Sequence, residues 1–274
     1  MPTQRKRPTR LQKINEFKRA PPANRFRLPL FPTAPPPFFA LYCSATMPPG
    51  IWVAALMRKG EPHGLSSMKL NPQDLEKITD LTLDYYNRHA EDFWEGTRNH
   101  DVSQNIAAML QYIQGERPFA ILDFGCGPGR DLMTFAELGH LGTGLEGAAH
   151  LAAMARAYSR CEVWQQDFLK LDLPDNYFDG VFANASLFHV PSQELPRVLR
   201  ELRACLKPGG VLFSSNPRGH NQEGWSDGRF SAYHDLETWR RFVSSAGFTE
   251  LTHYYRPAGL PPERQPWLAS IWRR

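Results

Sequence analysis

The order of apolar runs along the chain predicts an α/β fold: a doubly wound, mostly parallel sheet of seven strands with an antiparallel terminal strand, preceded by a disordered N-terminal leader. Three observations predict it. An unbroken apolar run, Phe119-Ala120-Ile121-Leu122, ends in Asp123 and a cluster of glycines, as a strand buried on both faces does. Beyond it, short apolar strands alternate with helical patterns. Two last strands, about 249–255 and 267–272, are joined by the turn at Pro261-Pro262 and add a closing hairpin.

The leader, residues 1–67, holds 12 of the 24 prolines and basic clusters such as Arg5-Lys6-Arg7, with no sustained period of 2 or 3.6. Such a segment cannot bury a core of its own. Its uncharged stretch from Leu28 to Met57 is interrupted by Pro29, Pro32, Pro35, Pro36, Pro37, Pro48 and Pro49, which would break a spanning helix repeatedly, so no membrane partner is expected. Two readings of the leader stand: a targeting peptide, Arg-rich and poor in acids, or upstream sequence preceding a start at Met68.

The pattern becomes regular at residue 68, and 68–274 reads as one domain. Asn71 or Asp74 can cap a first helix that carries Ile78, Thr82, Tyr85, Tyr86, Ala90 and Phe93 at near-helical spacing. Val102, Ile106, Met109, Leu110 and Ile113 form one apolar stripe of a second helix, with Asp101 or Ser103 as cap. After the first strand come a helix at 130–138, a strand at 141–146, a helix at 148–158, and strands at 163–167 and 178–184. A helix through Leu195, Val198, Leu199, Leu202 and Leu206 stops at Lys207-Pro208-Gly209-Gly210, and a strand at 211–215 follows. A last helix spans 235–246. The segment from Asn216 to Trp225 reads as a long polar loop.

Charge narrows the class of partner. The net charge of the whole chain is +4, but the leader carries 11 Lys and Arg against Glu16 and Glu61, which leaves 21 basic against 26 acidic residues in the rest. An acidic domain removes the simplest argument for a nucleic-acid partner. Cys43, Cys126, Cys161 and Cys205 show no paired spacing, so a reducing, cytoplasmic compartment is expected. The nine histidines contain no HxxxH or HxH cluster, and no metal centre is assigned. The oligomeric state does not follow from the sequence.

The strongest chemical signal is Asp123-Phe124-Gly125-Cys126-Gly127-Pro128-Gly129, a strand end followed by a glycine-rich turn and a helix. Glycines there let the chain turn sharply and let a flat ligand approach the backbone. A dinucleotide fingerprint needs GxGxxG, whereas position 130 is Arg130 and the third glycine falls one residue early. Glu146 ends the next strand, where its two oxygens can accept from two ribose hydroxyls.

This chain resembles the class I S-adenosylmethionine-dependent methyltransferases, of the generic type 11-like kind. The resemblance rests on Leu122 to Gly129, the acid Glu146, the pair Asp167-Phe168, and Leu206 to Gly210, all in order, and covers about residues 75–274. It implies S-adenosyl-L-methionine as cofactor. Gly125, Gly127 and Gly129 would line its methionine and ribose portion, Asp123 would brace the turn or the amino group, and Glu146 would hold the ribose. Asp167 would accept from the adenine amine with Phe168 as an apolar wall, and Asn184 would border the methionine moiety. Tyr86 is similar to a lid-helix tyrosine; Tyr86 and Trp94 either close over the cofactor or merely pack the first helix.

Methyl transfer from a sulfonium is an in-line displacement, so the protein's task is alignment in a dry cleft, and a base is needed only if the acceptor must lose a proton. His189 is the best-placed base, with a buttressing role as the alternative. Arg98, Arg218, His220, Trp225 and Tyr233 are candidates for acceptor contact or parts of solvated connections. A small-molecule acceptor is favoured; a tRNA-modifying enzyme or a non-catalytic cofactor-binding module are the alternatives.

Overall fold

The computed structural model describes residues 69–274; the leader and the two readings of it lie outside the described residues. Helix α1 (Pro72–Arg88) starts on a capping box: the Asn71 side chain accepts from the Asp74 amide, and the Asp74 carboxylate accepts from the Asn71 amide. His89, with φ −115°, breaks the expected single helix, and α2 (Ala90–Thr97) continues after it. Helix α3 (Ser103–Leu110) follows.

The sheet then builds from β1 (Ala120–Phe124), β2 (Leu141–Glu146), β3 (Glu162–Gln165), β4 (Phe178–Asn184), β5 (Leu206–Pro217), β8 (Thr249–Arg256) and β9 (Trp267–Arg273). Helices α4 (Arg130–Glu137), α5 (Ala149–Ser159), α6 (Leu195–Cys205) and α7 (Leu236–Ser245) connect them. Strand order is β3-β2-β1-β4-β5-β9-β8, with β9 antiparallel to both of its neighbours and the β1–β5 pairs parallel. The seven-stranded sheet with one reversed strand is the fold expected from the alternation of apolar runs.

Because side chains alternate across a strand, β1 feeds two cores. Leu122 and Phe124 pack with Leu195, Val198, Leu199 and Leu202 of α6 and Trp239 and Val243 of α7. Ile121 faces the other way, with Ile106 and Met109 of α3, Phe135 of α4, and Phe182 and Phe213. The strand direction of growth reverses between β1 and β4, the position where an open α/β sheet leaves a crevice at the carboxyl ends of its strands.

Two elements differ from expectation. Lys207-Pro208-Gly209-Gly210 lies inside β5: Phe178 pairs with Leu206 and Gly180 with Val211, so the segment is accommodated as a shift of register. The polar loop after β5 instead folds as a hairpin, β6 (Gln222–Ser226) against β7 (Arg229–Tyr233). Its turn is Asp227-Gly228, both with positive φ (50° and 80°), the two-residue turn whose twist suits a hairpin. Among the described residues no helix is long and apolar enough to cross a membrane.

Candidate active site

The crevice opens where β1 and β4 part. The turn after β1 meets the segment after β4 so closely that a Cβ on Gly125 would lie 2.5 Å from the Ser186 Cβ. Gly129, at φ 90°, packs 2.9 Å (to a Cβ) from the Ala155 Cα, so it serves the seating of the turn on α5 and leaves the cavity wall to Gly125 and Gly127. Glu146, buried at the end of β2, holds the turn from below. Its Oε2 accepts from the Gly127 amide at 3.0 Å and its Oε1 from the Ala148 amide at 2.8 Å. Burial raises its pKa, and these backbone donors oppose the rise.

The cavity above this floor measures about 690 Å³ with its opening to solvent included. Gly125, Gly127, Glu146, Asp167 and Phe168 line it, whereas Gly129, expected with them, does not. Asp167 accepts from the Leu169 amide through Oδ1 at 2.6 Å, and burial raises its pKa. Phe168 stacks on Phe124 of β1 at 4.3 Å between ring centres, which fixes the apolar wall to the core.

Helices α1 and α2 roof the cavity. Tyr86 and Phe93 contribute to it, ring edge to ring face at 5.4 Å, and so do Ile78, Thr79, Thr82 and Leu83. The spacing of Ile78, Thr82 and Tyr86 at four-residue intervals marked this face, but periodicity alone cannot separate a wall that packs from a wall that encloses a ligand.

His189 lines the cavity too, and its hydrogen bonds define its state. Nδ1 lies 2.7 Å from the Phe230 carbonyl, which can only accept, so Nδ1 carries the proton. Nε2 of the neutral ring then accepts from the Tyr86 hydroxyl at 2.9 Å. Burial lowers the imidazole to about 4, with Arg229 adding to the fall and the Phe230 carbonyl opposing it. Tyr86 in turn accepts from Arg229 Nη1 at 3.3 Å. Arg229, on the hairpin, escaped the sequence reading; the Asp227-Gly228 turn was the available signal for the strand that carries it.

The remaining expected residues lie elsewhere. Asp123 is buried below the turn, one oxygen without a partner, its pKa raised well above the usual range by burial and by Asp131. Asn184 is held between Asn105 (3.1 Å) and Asp131 (3.2 Å) outside the wall. Trp94 packs edge-on against Tyr158 of α5 at 4.9 Å and does not reach the cavity. Arg98 pairs with Glu95 at the surface. Arg218 donates to the Pro262 and Gln265 carbonyls and lies over the Tyr255 ring, clamping the β8–β9 connection. The His220 amide donates to Gln222 within its loop. Trp225 is 49% exposed in a shallow groove with Leu81, Tyr85 and Arg88. Tyr233 reaches the neighbourhood of the site indirectly, stacked on Phe188.

Known proteins are similar to this chain in sequence and in fold. The methyltransferase domain family matches residues 121–210. A sterol 24-C-methyltransferase of Yarrowia lipolytica is 28% identical over 160 residues, which cover 50% of this chain and 42% of that protein. A trans-aconitate 2-methyltransferase of Deinococcus radiodurans is 32% identical over 136 residues, 47% of this chain and 51% of the relative. The chain thus spans about half or less of these curated relatives. Among solved structures, the 1,6-didemethyltoxoflavin-N1-methyltransferase of Burkholderia thailandensis has the same fold, at TM-score 0.62 and 19% identity, covering 78% of this chain and 99% of that one.

The sheet order and the glycine turn are those of a class I methyltransferase fold, and residues 121–210 match the methyltransferase domain family. An S-adenosylmethionine-dependent methyltransferase from Mesorhizobium loti has the same fold, at TM-score 0.53 and 22% identity, covering 62% of this chain and 96% of that one.

The residues present fit that cofactor. The glycine turn leaves its wall open, Glu146 and Asp167 keep acceptor capacity toward the cavity, and the buried Ser186 hydroxyl on the cavity wall has no partner within the protein.

Proposed function

We propose that this chain transfers a methyl group from S-adenosyl-L-methionine to a small-molecule acceptor. The observation that carries the reading is the roofed cavity that brings Gly125, Gly127, Glu146, Asp167 and Phe168 under the lid residues Tyr86 and Phe93. When bound, the cofactor supplies an electrophilic methyl on a positively charged sulfur. Glu146 holds the ribose hydroxyls, Asp167 accepts from the adenine amine, Phe168 packs on the base, and Gly125 and Gly127 admit the ribose and methionine portions. Tyr86 presents its ring near the sulfonium, an attraction of about 0.5–2 kcal/mol. The lid excludes water, so that nucleophile and methyl meet at about 3–3.5 Å without a competing solvent molecule.

A small acceptor is supported by the narrow, mostly apolar cavity and by relatives named for sterol and trans-aconitate methylation. The reading places the chain in the cytoplasm, in keeping with the free thiols Cys126, Cys161 and Cys205. To test it, the full chain is incubated with methyl-labelled cofactor and fractionated small-molecule and RNA pools. Label in a small molecule is the expected result. Label in RNA supports the tRNA alternative, and cofactor binding with no transfer to any pool leaves a non-catalytic module.

A further inference from the structure

The cavity's only imidazole among the described residues has no open lone pair. His189 spends Nδ1–H on the Phe230 carbonyl and Nε2 on the Tyr86 hydroxyl. Glu146 is braced by two backbone amides at the ribose position, and Asp167 sits at the adenine end. An acceptor that had to lose a proton would route it through Tyr86 to an imidazole whose pKa burial holds near about 4 and whose protonated form Arg229 opposes, a weak base at neutral pH.

Arg229 supplies the complementary fact. Its guanidinium lies over the Tyr85 ring at 4.7 Å and the Tyr86 ring at 5.6 Å, and Nη1 donates to the Tyr86 hydroxyl. It forms no ion pair among the described residues, and its buried Nε has no hydrogen-bond partner. Arg130, Arg88 and Arg197 each pair with a carboxylate. Asp227 of the hairpin turn acts on it only through space, and a half-buried cation with no carboxylate in contact, one hydrogen bond from the wall of a cavity, is costly unless an anion arrives. The hairpin holds it there: the Phe230 amide donates to Thr82 Oγ1 of α1 at 3.1 Å, tying β7 to the lid.

We propose that the acceptor is a carboxylic acid bound as its carboxylate, and that Arg229 is a positioning residue whose charge, acting across the Tyr86 hydroxyl, draws that carboxylate to the methyl group. This rests on the methyltransferase reading above. One carboxylate oxygen forms the new O–CH₃ bond with its lone pair as the C–S bond breaks, and that electron pair returns to sulfur. The negative charge of the acceptor and the positive charge of the sulfonium cancel. No proton moves, in keeping with a His189 imidazole whose two nitrogens are both engaged; the product is a methyl ester.

The test uses the full chain saturated with S-adenosylhomocysteine, titrated with phenylacetate, cinnamate, succinate and decanoate, each beside its primary amide. The same panel is then run with S-adenosylmethionine, reading methyl esters by mass spectrometry. The expected result is binding and esterification of at least one acid with its amide at least roughly tenfold weaker. Arg229→Gln should lose that preference while binding S-adenosylhomocysteine within about twofold of wild type, and Arg229→Lys should restore part of it. A merely structural role for Arg229 would lower acid and amide alike. Amides preferred over acids, no acid bound or esterified, or an undiminished preference in Arg229→Gln would overturn the proposal. Failure of wild type to bind S-adenosylhomocysteine would instead sink the reading beneath it, and the proposal with it.

Discussion

The two sides of the cavity are built differently. The floor comes from backbone and near neighbours: the glycine turn, Glu146 19 residues on from Gly127, and Asp167 just past the following strand, all at the carboxyl ends of adjacent parallel strands. The roof depends on side chains distant in sequence, with Tyr86 and Arg229 meeting across 143 positions and Phe230 and Thr82 across 148. A floor fixed by backbone geometry suits a constant ligand. A roof assembled from a lid and a hairpin can change its side chains without disturbing the sheet, which suits a variable one.

The largest effect that would separate the two sides is expected from the floor. Gly129→Val places a β-branched residue at φ 90° against the Ala155 backbone, and it should cost about 4 kcal/mol of stability in urea unfolding. A cost under about 1 kcal/mol would mean the turn yields. Glu146→Ala comes next: removing both ribose acceptors should weaken cofactor binding by roughly 100-fold in calorimetry. The same substitution leaves the roof intact, so lid contacts reported by Tyr86 should persist.

On the roof, His189 predicts a pH dependence. Its folded pKa of about 4 lies below the ordinary 6.5, so the unfolded chain binds more protons between those values. Stability from this group is therefore fully present above about pH 6.5 and is lost as pH falls toward 4. His189→Gln should remove about 2 kcal/mol of that change, measured by unfolding at pH 7 and pH 4.5. An unchanged slope would show that the imidazole is not held neutral. The smallest effect is expected for Trp94→Ala, which should lose about 1 kcal/mol of packing against Tyr158 and leave cofactor affinity unchanged. A fall in affinity would bring Trp94 back to the cavity.

The floor was legible in the sequence because its signals are local. Strand, glycine turn and acid recur at short spacing, and each residue type follows from what the backbone must do there. Asp123 and Asn184 lie on the right strands, but which face a strand-end residue takes is settled by packing: Asp123 is buried below the turn, and the half-buried Asn184 is held by Asn105 and Asp131 beside the cavity. The hairpin was hidden by the polarity of 216–225, although Asp227-Gly228 marked its turn. Arg229 was not legible at all: nothing near it in sequence distinguishes it from a surface arginine, and its environment exists only once β7 packs on α1.

The proposed function requires the floor to bind S-adenosylmethionine. Calorimetric titration of the full chain with S-adenosylmethionine, S-adenosylhomocysteine and NAD tests it most directly. Micromolar binding of the first two, without NAD, is the predicted result. A well-folded chain that binds neither sulfur ligand, or that binds NAD in their place, would contradict it.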